Sequence, residues 1–353
     1  MPKTLAISGG TVLVGRDLRA ERDATVVVSD GRIAAAGTGV AIPADATTID
    51  ATGATVVPGF IDAHVHIGFV DPIDVLRGGV TTVRDLAWPP EKIFPLAAAS
   101  LEEGFAGPLV LCAGPMITAP GGYPTRAAWA PRGTGVEIGT VDDARRVVTD
   151  VVARGATVVK IALNAAVGPT LPAELVAAIV EAAHARKRKV TAHIDGLDEL
   201  VKALDAGIDE MAHVLMSADH IPEEVVDRIV EQGVAVVPTL SIFSGRSRHI
   251  AIENVARLAA AGARIVYGTD LGNAGPRPGI DRREIDGLRD AGFTPMDIIR
   301  SATVTSAEWL DLETKGAIES GADGDLVIVE GDPATDAGDL TKIRRALRGG
   351  IAA

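Results

Sequence analysis

The strongest constraint on this chain is an alternation that starts near residue 55. Eight short apolar runs, Val56–Ala63, Val80–Asp85, Leu109–Ala113, Thr157–Ala162, Lys189–His193, Glu210–His213, Ala235–Pro238 and Arg264–Gly268, are separated by segments of helical character. Most of the runs are apolar almost throughout, as parallel strands covered on both faces must be. The spacing of Leu175, Val176, Ile179, Val180 and Ala183 predicts a helix over Pro172–Lys187, with proline in its first turn. Thr140–Arg154 opens on a threonine followed by Asp142 and Asp143, a good helix start, and Pro222–Gln232 stops at Gly233. Eight consecutive βα units spread over roughly 250 residues predict a (β/α)8 barrel. A doubly wound sheet is the alternative, but eight units in succession favour closure.

Both ends of the chain read differently. Thr4–Ser8, Thr11–Val14, Thr25–Ser29 and Ile33–Ala36 are strand-like, and Asp30-Gly31 between two apolar runs is a hairpin signal. After a last helix at Ser306–Leu310, strand-like text returns at Gly324–Glu330 and Ile343–Leu347. Residues 1–55 and 312–353 are therefore expected to form one small β-sandwich domain, into which the barrel, 56–311, is inserted.

Composition narrows the function. The chain is 47% hydrophobic but only 3% aromatic, which requires a large core built from Ala, Val, Ile and Leu. Its net charge is −13, which argues against nucleic acid or an anionic membrane and leaves a small molecule as the expected partner. A single cysteine, Cys112, excludes an intrachain disulfide and fits a reducing compartment. The first ten residues lack the apolar region of a signal peptide, and no stretch reaches the ~18 apolar residues of a membrane span. A cytoplasmic protein is expected.

Chemistry is concentrated at the run ends. His64-Val65-His66 closes the first run, and in a strand residues i and i+2 share a face, so two imidazoles stand side by side. Lys160, His193, His213 and Asp270 each fall at or just past the end of a later run. In a closed barrel the first and eighth strands are neighbours, so all six point into one mouth, where sites of this fold lie. Three or more histidines with an aspartate are a normal set for Zn2+ or a similar ion. Singly, each has a blander reading: His193 or His213 as a hydrogen-bonded core histidine, Asp270 as a turn residue or helix cap. Lys160 fits no such reading, because an unpaired ammonium inside Val158–Ala162 is costly.

The segments Pro58–His66, Val159-Lys160-Ile161, Thr191-Ala192-His193, Met211-Ala212-His213 and Tyr267-Gly268-Thr269-Asp270 resemble, in this order, the metal motifs of the amidohydrolase superfamily. Gly79–Asp85, Ala302–Ala307 and Gly324–Ile328 extend the resemblance over essentially the whole chain, and Lys160 places it nearest the imidazolonepropionase-like and prolidase-like members. The resemblance implies a binuclear centre of two divalent ions, with zinc favoured and manganese, cobalt or iron fitting similar ligands. His64, His66 and Asp270 hold one ion, His193 and His213 the other, and Lys160 bridges them as an N-carboxylated (carbamylated) lysine formed with CO2. It also implies hydrolysis by metal-activated hydroxide, with Asp270 as the catalytic residue that passes a proton to the leaving group. The expected reaction is cleavage of an amide, lactam or peptide-like C–N bond; ester, lactone or phosphotriester hydrolysis on the same centre is the first alternative, and a non-catalytic scaffold the second. Enzymes of this type often form dimers or larger assemblies.

Substrate contacts are expected in the loops that follow the strands. Tyr123, in Gly121-Gly122-Tyr123-Pro124, stands where many relatives with this lysine carry histidine; it offers a hydrogen bond or a packing role. Arg126, Arg246 and Asn273 lie in loops at the expected mouth, where arginines suit a carboxylate-bearing substrate. Solvated loop charges are the alternative. His184 falls in a helix, and His220 and His249 suit the surface.

Overall fold

A computed structural model describes residues 4–217 and 219–353. The chain is an α/β protein with two parallel sheets and one larger, mostly antiparallel sheet built from both termini. In the parallel part, Phe60–Val65, Val80–Asp85 and Leu109–Cys112 pair side by side. A second set runs Val158–Asn164, Lys189–Asp195, Glu210–Met211 and Ala235–Val236, with Met116–Thr118 and Gly135–Glu137 on its outer side. The register sets Lys160 opposite Thr191 and Ala162 opposite His193. Backbone bonds also join the two sets, directly at one edge and through residues 264–267 at the other. The Thr157 amide donates to the Cys112 carbonyl at 2.9 Å, Val236 donates to Arg264 at 2.9 Å, and Ala63 donates to Tyr267 at 3.0 Å.

The first apolar run is not one strand, as the sequence suggests. Ala54–Pro58 pairs with Leu326–Glu330 in the terminal sheet, while Phe60–Val65 belongs to the parallel set. The break falls at Pro58-Gly59. A Cβ on Gly59 would sit 2.2 Å from the Thr81 hydroxyl, so only glycine lets the chain pass between the two sheets there. The run is apolar on both sides of the break because each half is buried in its own sheet.

The terminal sheet has eight strands. Thr4–Val14 bends at Gly9-Gly10, so that its first half pairs with Thr47–Asp50 and its second half with Ala54–Pro58. Asp30 and Gly31 both take positive φ, 49° and 79°, and form the hairpin between Arg19–Ser29 and Arg32–Thr38. This sheet has its own core, including Ile7, Val12, Val28, Ile33, Val56, Leu326 and Ile328, apart from the main one. The main core is aliphatic, as the scarcity of aromatics requires.

The helices follow their expected starts. Val141–Ala153 begins at Thr140, whose hydroxyl accepts from the Asp143 amide. Ala173–His184 starts after Pro172, which takes the cap position rather than the first turn. Glu223–Glu231 and Val304–Trp309 occupy the remaining expected segments. Among the described residues no helix is long and apolar enough to cross a membrane.

Candidate metal centre

His64 and His66 lie at the end of Phe60–Val65, and Asp270 follows Arg264–Gly268, the expected eighth strand, which makes only an isolated parallel bridge at Ile265. The Asp270 amide donates to the His64 carbonyl at 2.8 Å and the His66 amide to the Leu271 carbonyl, so these two stretches are locked together. The result places Asp270 Oδ1 3.3 Å from His64 Nε2 and 3.1 Å from His66 Nε2. The ligand atoms of these three residues lie within 4.8 Å of one another, and all three are buried. Asp270 holds φ at 56°, a left-handed conformation that aspartate tolerates better than most residues.

The outer nitrogens of the histidines are engaged. His64 Nδ1 is 2.7 Å from the Ala212 carbonyl and His66 Nδ1 is 3.1 Å from the Ala87 carbonyl. A carbonyl can only accept, so both Nδ1 atoms carry hydrogen and Nε2 is the nitrogen that each ring turns toward Asp270. Two further carboxylates hold the backbone. Asp62 accepts from the amides of His64 and Thr269 and from the Thr269 hydroxyl. Asp85 accepts from the amides of Ile67 and Ala87. Burial pushes the Asp62 carboxyl up to about 7 and the Asp85 carboxyl up to about 6.

His193 and His213 complete a ring of imidazoles. The His213 ring lies 4.6 Å from that of His64 and 4.8 Å from that of His193. His213 Nδ1 is 2.9 Å from the Thr239 hydroxyl and 3.8 Å from Asp270 Oδ2. His193 Nε2 lies 3.0 Å from the Asn164 side-chain amide; ligation through Nδ1 requires Nε2 to carry the hydrogen and the Asn164 oxygen to accept it. Lys160 lies inside its strand rather than at the end, 1% exposed. Among the described residues its Nζ has no hydrogen-bond partner, and neither do His64 Nε2 and Asp270 Oδ1. Three orphaned polar atoms at one buried spot are what a cation-binding site looks like before its ions are counted.

The electrostatics favour neutral ligands. Burial, and next the nearby Lys160, hold the His64 imidazole well below its usual range. Burial and the neighbouring His193 do the same for His213, and burial with Lys160 lowers His193 to about 3. His66 differs: burial pulls it down, but Asp270 and Asp85 outweigh that and it rises. Burial lowers the Lys160 ammonium to about 7. Neutral imidazole is the form that ligates metals.

The family model for the amidohydrolase family matches residues 55–350. The chain belongs to that family. It is a hydrolase of the amidohydrolase superfamily, acting on carbon–nitrogen bonds. Ochratoxinase of Aspergillus niger is 25% identical over 406 residues, covering 95% of this chain and 82% of that protein. A 5-methylthioadenosine/S-adenosylhomocysteine deaminase of Symbiobacterium thermophilum is 24% identical and covers 93% of this chain and 85% of its own length. In fold, the chain is similar to a Xaa-Pro dipeptidase crystallised with methionine, at a TM-score of 0.85, 24% identity and coverage of 99% and 100% of the two chains. Amidohydrolases generally use divalent metals, and the His64, His66 and Asp270 cluster is the candidate site here.

The residues expected to touch substrate are placed unequally. Tyr123 stacks on the His193 ring at 4.7 Å. Arg126, Arg246 and Asn273 are exposed, and the Asn273 amide group turns back to the Asp270 carbonyl at 3.3 Å. Among the described residues Asp270 pairs only with histidines. His184 pairs with Asp209, and His220 and His249 both pair with Glu253 at the surface. Sequence reasoning did not single out Asn164, Thr239, Asp62 or Asp85, whose roles depend on cross-strand contacts. It also passed over Phe69 and Trp88, although their placement three residues after His66 and Asp85 was a usable signal in so aromatic-poor a chain. A cleft of about 640 Å³ lined by Ala259, Arg264, Phe293 and Arg300 contains none of the metal-centre residues.

Proposed function

We propose that this amidohydrolase is metal-dependent and binuclear, and that it cleaves the amide, lactam or peptide-like C–N bond of a small molecule. The observation that carries the reading is the buried convergence of His64, His66 and Asp270 with orphaned ligand atoms beside an unpartnered Lys160. His64 and His66, through Nε2, and Asp270, through its carboxylate, would hold one ion, and His193 and His213 the other. Lys160, as its carbamate, would be shared by both. A neutral, buried amine is the form that adds to CO2: the nitrogen lone pair forms the N–C bond and one proton leaves to solvent. Two divalent cations, zinc being the expected pair, supply Lewis acidity and an acidified water when bound. Asp270 takes a proton at its carboxylate and delivers it to the departing nitrogen. His64 and His66 are fixed by the Ala212 and Ala87 carbonyls, which keeps their lone pairs inward. We place this centre in a closed (β/α)8 barrel of residues 56–311 inserted in a β-sandwich of 1–55 and 312–353. The bonds at Cys112, Val236 and Ala63 support closure.

The test is elemental analysis combined with intact mass under non-denaturing conditions. About two divalent ions per chain, and a CO2 adduct lost in Lys160→Ala, are expected. One ion with no adduct overturns the bridging lysine. No metal after reconstitution overturns metal dependence. Turnover of activated esters without any amide turnover moves the reaction to the ester alternative.

A further inference from the structure

Four of the chain's few aromatic side chains form one continuous strip that ends on the metal-centre histidines. Trp88 meets Phe69 edge-on at 4.7 Å, Phe69 meets Trp129 at 6.2 Å, and Trp129 meets Tyr123 at 6.0 Å. The strip then reaches the centre twice: Trp129 lies 5.3 Å from the His66 ring, and Tyr123 stacks on His193 at 4.7 Å and 26°. These rings come from three separate connections, after Phe60–Val65, after Val80–Asp85, and between Met116–Thr118 and Gly135–Glu137.

The backbone is shaped around the strip. A Cβ on Gly68 would sit 2.2 Å from the Trp88 ring, and one on Gly272 would sit 2.9 Å from both Phe69 and His66. The outer end is open: Phe69 is 43% exposed, the one aromatic among the exposed large hydrophobics of the described residues. The inner end is tight. His66 and His193 are each only 5% exposed, and Trp129 and Tyr123 lie against them. The cation–aromatic contacts among the described residues involve Phe94 and Trp309, not this strip, and Arg126 and Arg246 are exposed.

Resting on the hydrolase reading above, we propose that this strip recognises a planar aromatic group flanking the scissile C–N bond. The substrate class is then an aryl or arylalkyl amide rather than a compound selected by its carboxylate. Edge-to-face and offset contacts at ring separations of about 4.5–7 Å are the geometry in which arenes attract one another, beyond the gain from burial. An arene laid against the free faces of Phe69 and Trp129 adds one more member to a series already built this way.

Two matched substrate series with zinc-reconstituted enzyme test this. One is N-acylglycinamides bearing benzoyl or cyclohexanecarbonyl; the other is acetamides of benzylamine or cyclohexylmethylamine. In at least one series the arene is expected to win by tenfold or more in kcat/KM, about 1.4 kcal/mol. Trp129→Leu and Phe69→Leu should each shrink that ratio at least threefold while metal content stays at the wild-type level. Equal turnover of arene and cyclohexyl substrates, or ratios unchanged in both variants, overturns the proposal and leaves the hydrolase reading standing. If none of the amides is turned over although metal is bound, the hydrolase reading fails for them, and binding of 2-naphthamide to the holoenzyme decides the strip alone. Saturable quenching of tryptophan fluorescence, weakened tenfold or more in Phe69→Leu, supports it; absence of saturable quenching overturns it.

Discussion

Beneath the metal centre lies a charge pair whose removal should be read in stability. Arg84 and Glu210 are 2% and 1% exposed. The guanidinium donates to Glu210 Oε1 at 2.6 Å and to the Ala63 carbonyl at 2.8 Å, one residue before His64. Trp309 Nε1 donates to the other carboxylate oxygen. Glu210→Gln keeps the shape and an acceptor for Trp309 but leaves the guanidinium uncompensated, and breaking a buried pair in this way costs about 3–5 kcal/mol. Arg84→Met strands the carboxylate and removes the donor to Ala63, at a similar cost. The double variant leaves no unpaired charge. It loses only the Ala63 bond and part of the amide pairing, each about 1–3 kcal/mol for a buried group. Its cost should therefore fall short of the sum of the singles by about 3 kcal/mol. Urea unfolding of all four proteins, metal-loaded and chelated, measures this coupling. Additivity to within about 0.5 kcal/mol, the behaviour of independent sites, would refute the argument. Lys160 feels Glu210 and Arg84 with opposite sign, so the chelated series separates fold stability from any change in metal retention.

Asp270→Asn should leave the fold intact, because asparagine also tolerates the left-handed φ of 56°, while lowering kcat by at least 100-fold; near-native kcat with metals bound would remove Asp270 from proton transfer. A third expectation concerns Glu284, fully buried between Ser241 and Asp281, whose carboxyl burial pushes up to about 8. A raised carboxyl pKa means the folded state keeps a proton that the unfolded chain releases. The contribution is therefore fully present below about pH 4.5 and is lost as pH rises toward 8. Glu284→Gln should flatten the stability–pH curve across that window; an unchanged slope would show that Glu284 is ionised in the fold.

How much of this was legible in the sequence depends on whether a contact is local or long-range. The alternation of apolar runs and helical segments is local, and it led to the parallel strands, the capped helix at Thr140 and the terminal sheet. The gathering of His64, His66, His193, His213 and Asp270 was legible for a related reason: strand-end placement is written in each run, and fold topology does the gathering. The run Val56–Ala63 misled because periodicity cannot tell one buried strand from two that abut, and the Pro58-Gly59 punctuation was the only sign of the break. Partners drawn from distant strands left no mark at all. Nothing around Arg84 names Glu210, which is 126 positions away, and nothing around Asp62 names Thr269. A charge count suggested a carboxylate-binding mouth at the loop arginines, and the side chains that reach the histidines are Tyr123 and Trp129. In a chain that is 3% aromatic, the rings carry more positional information than the charges, because a scarce residue placed beside a metal ligand costs exposed apolar surface unless something covers it.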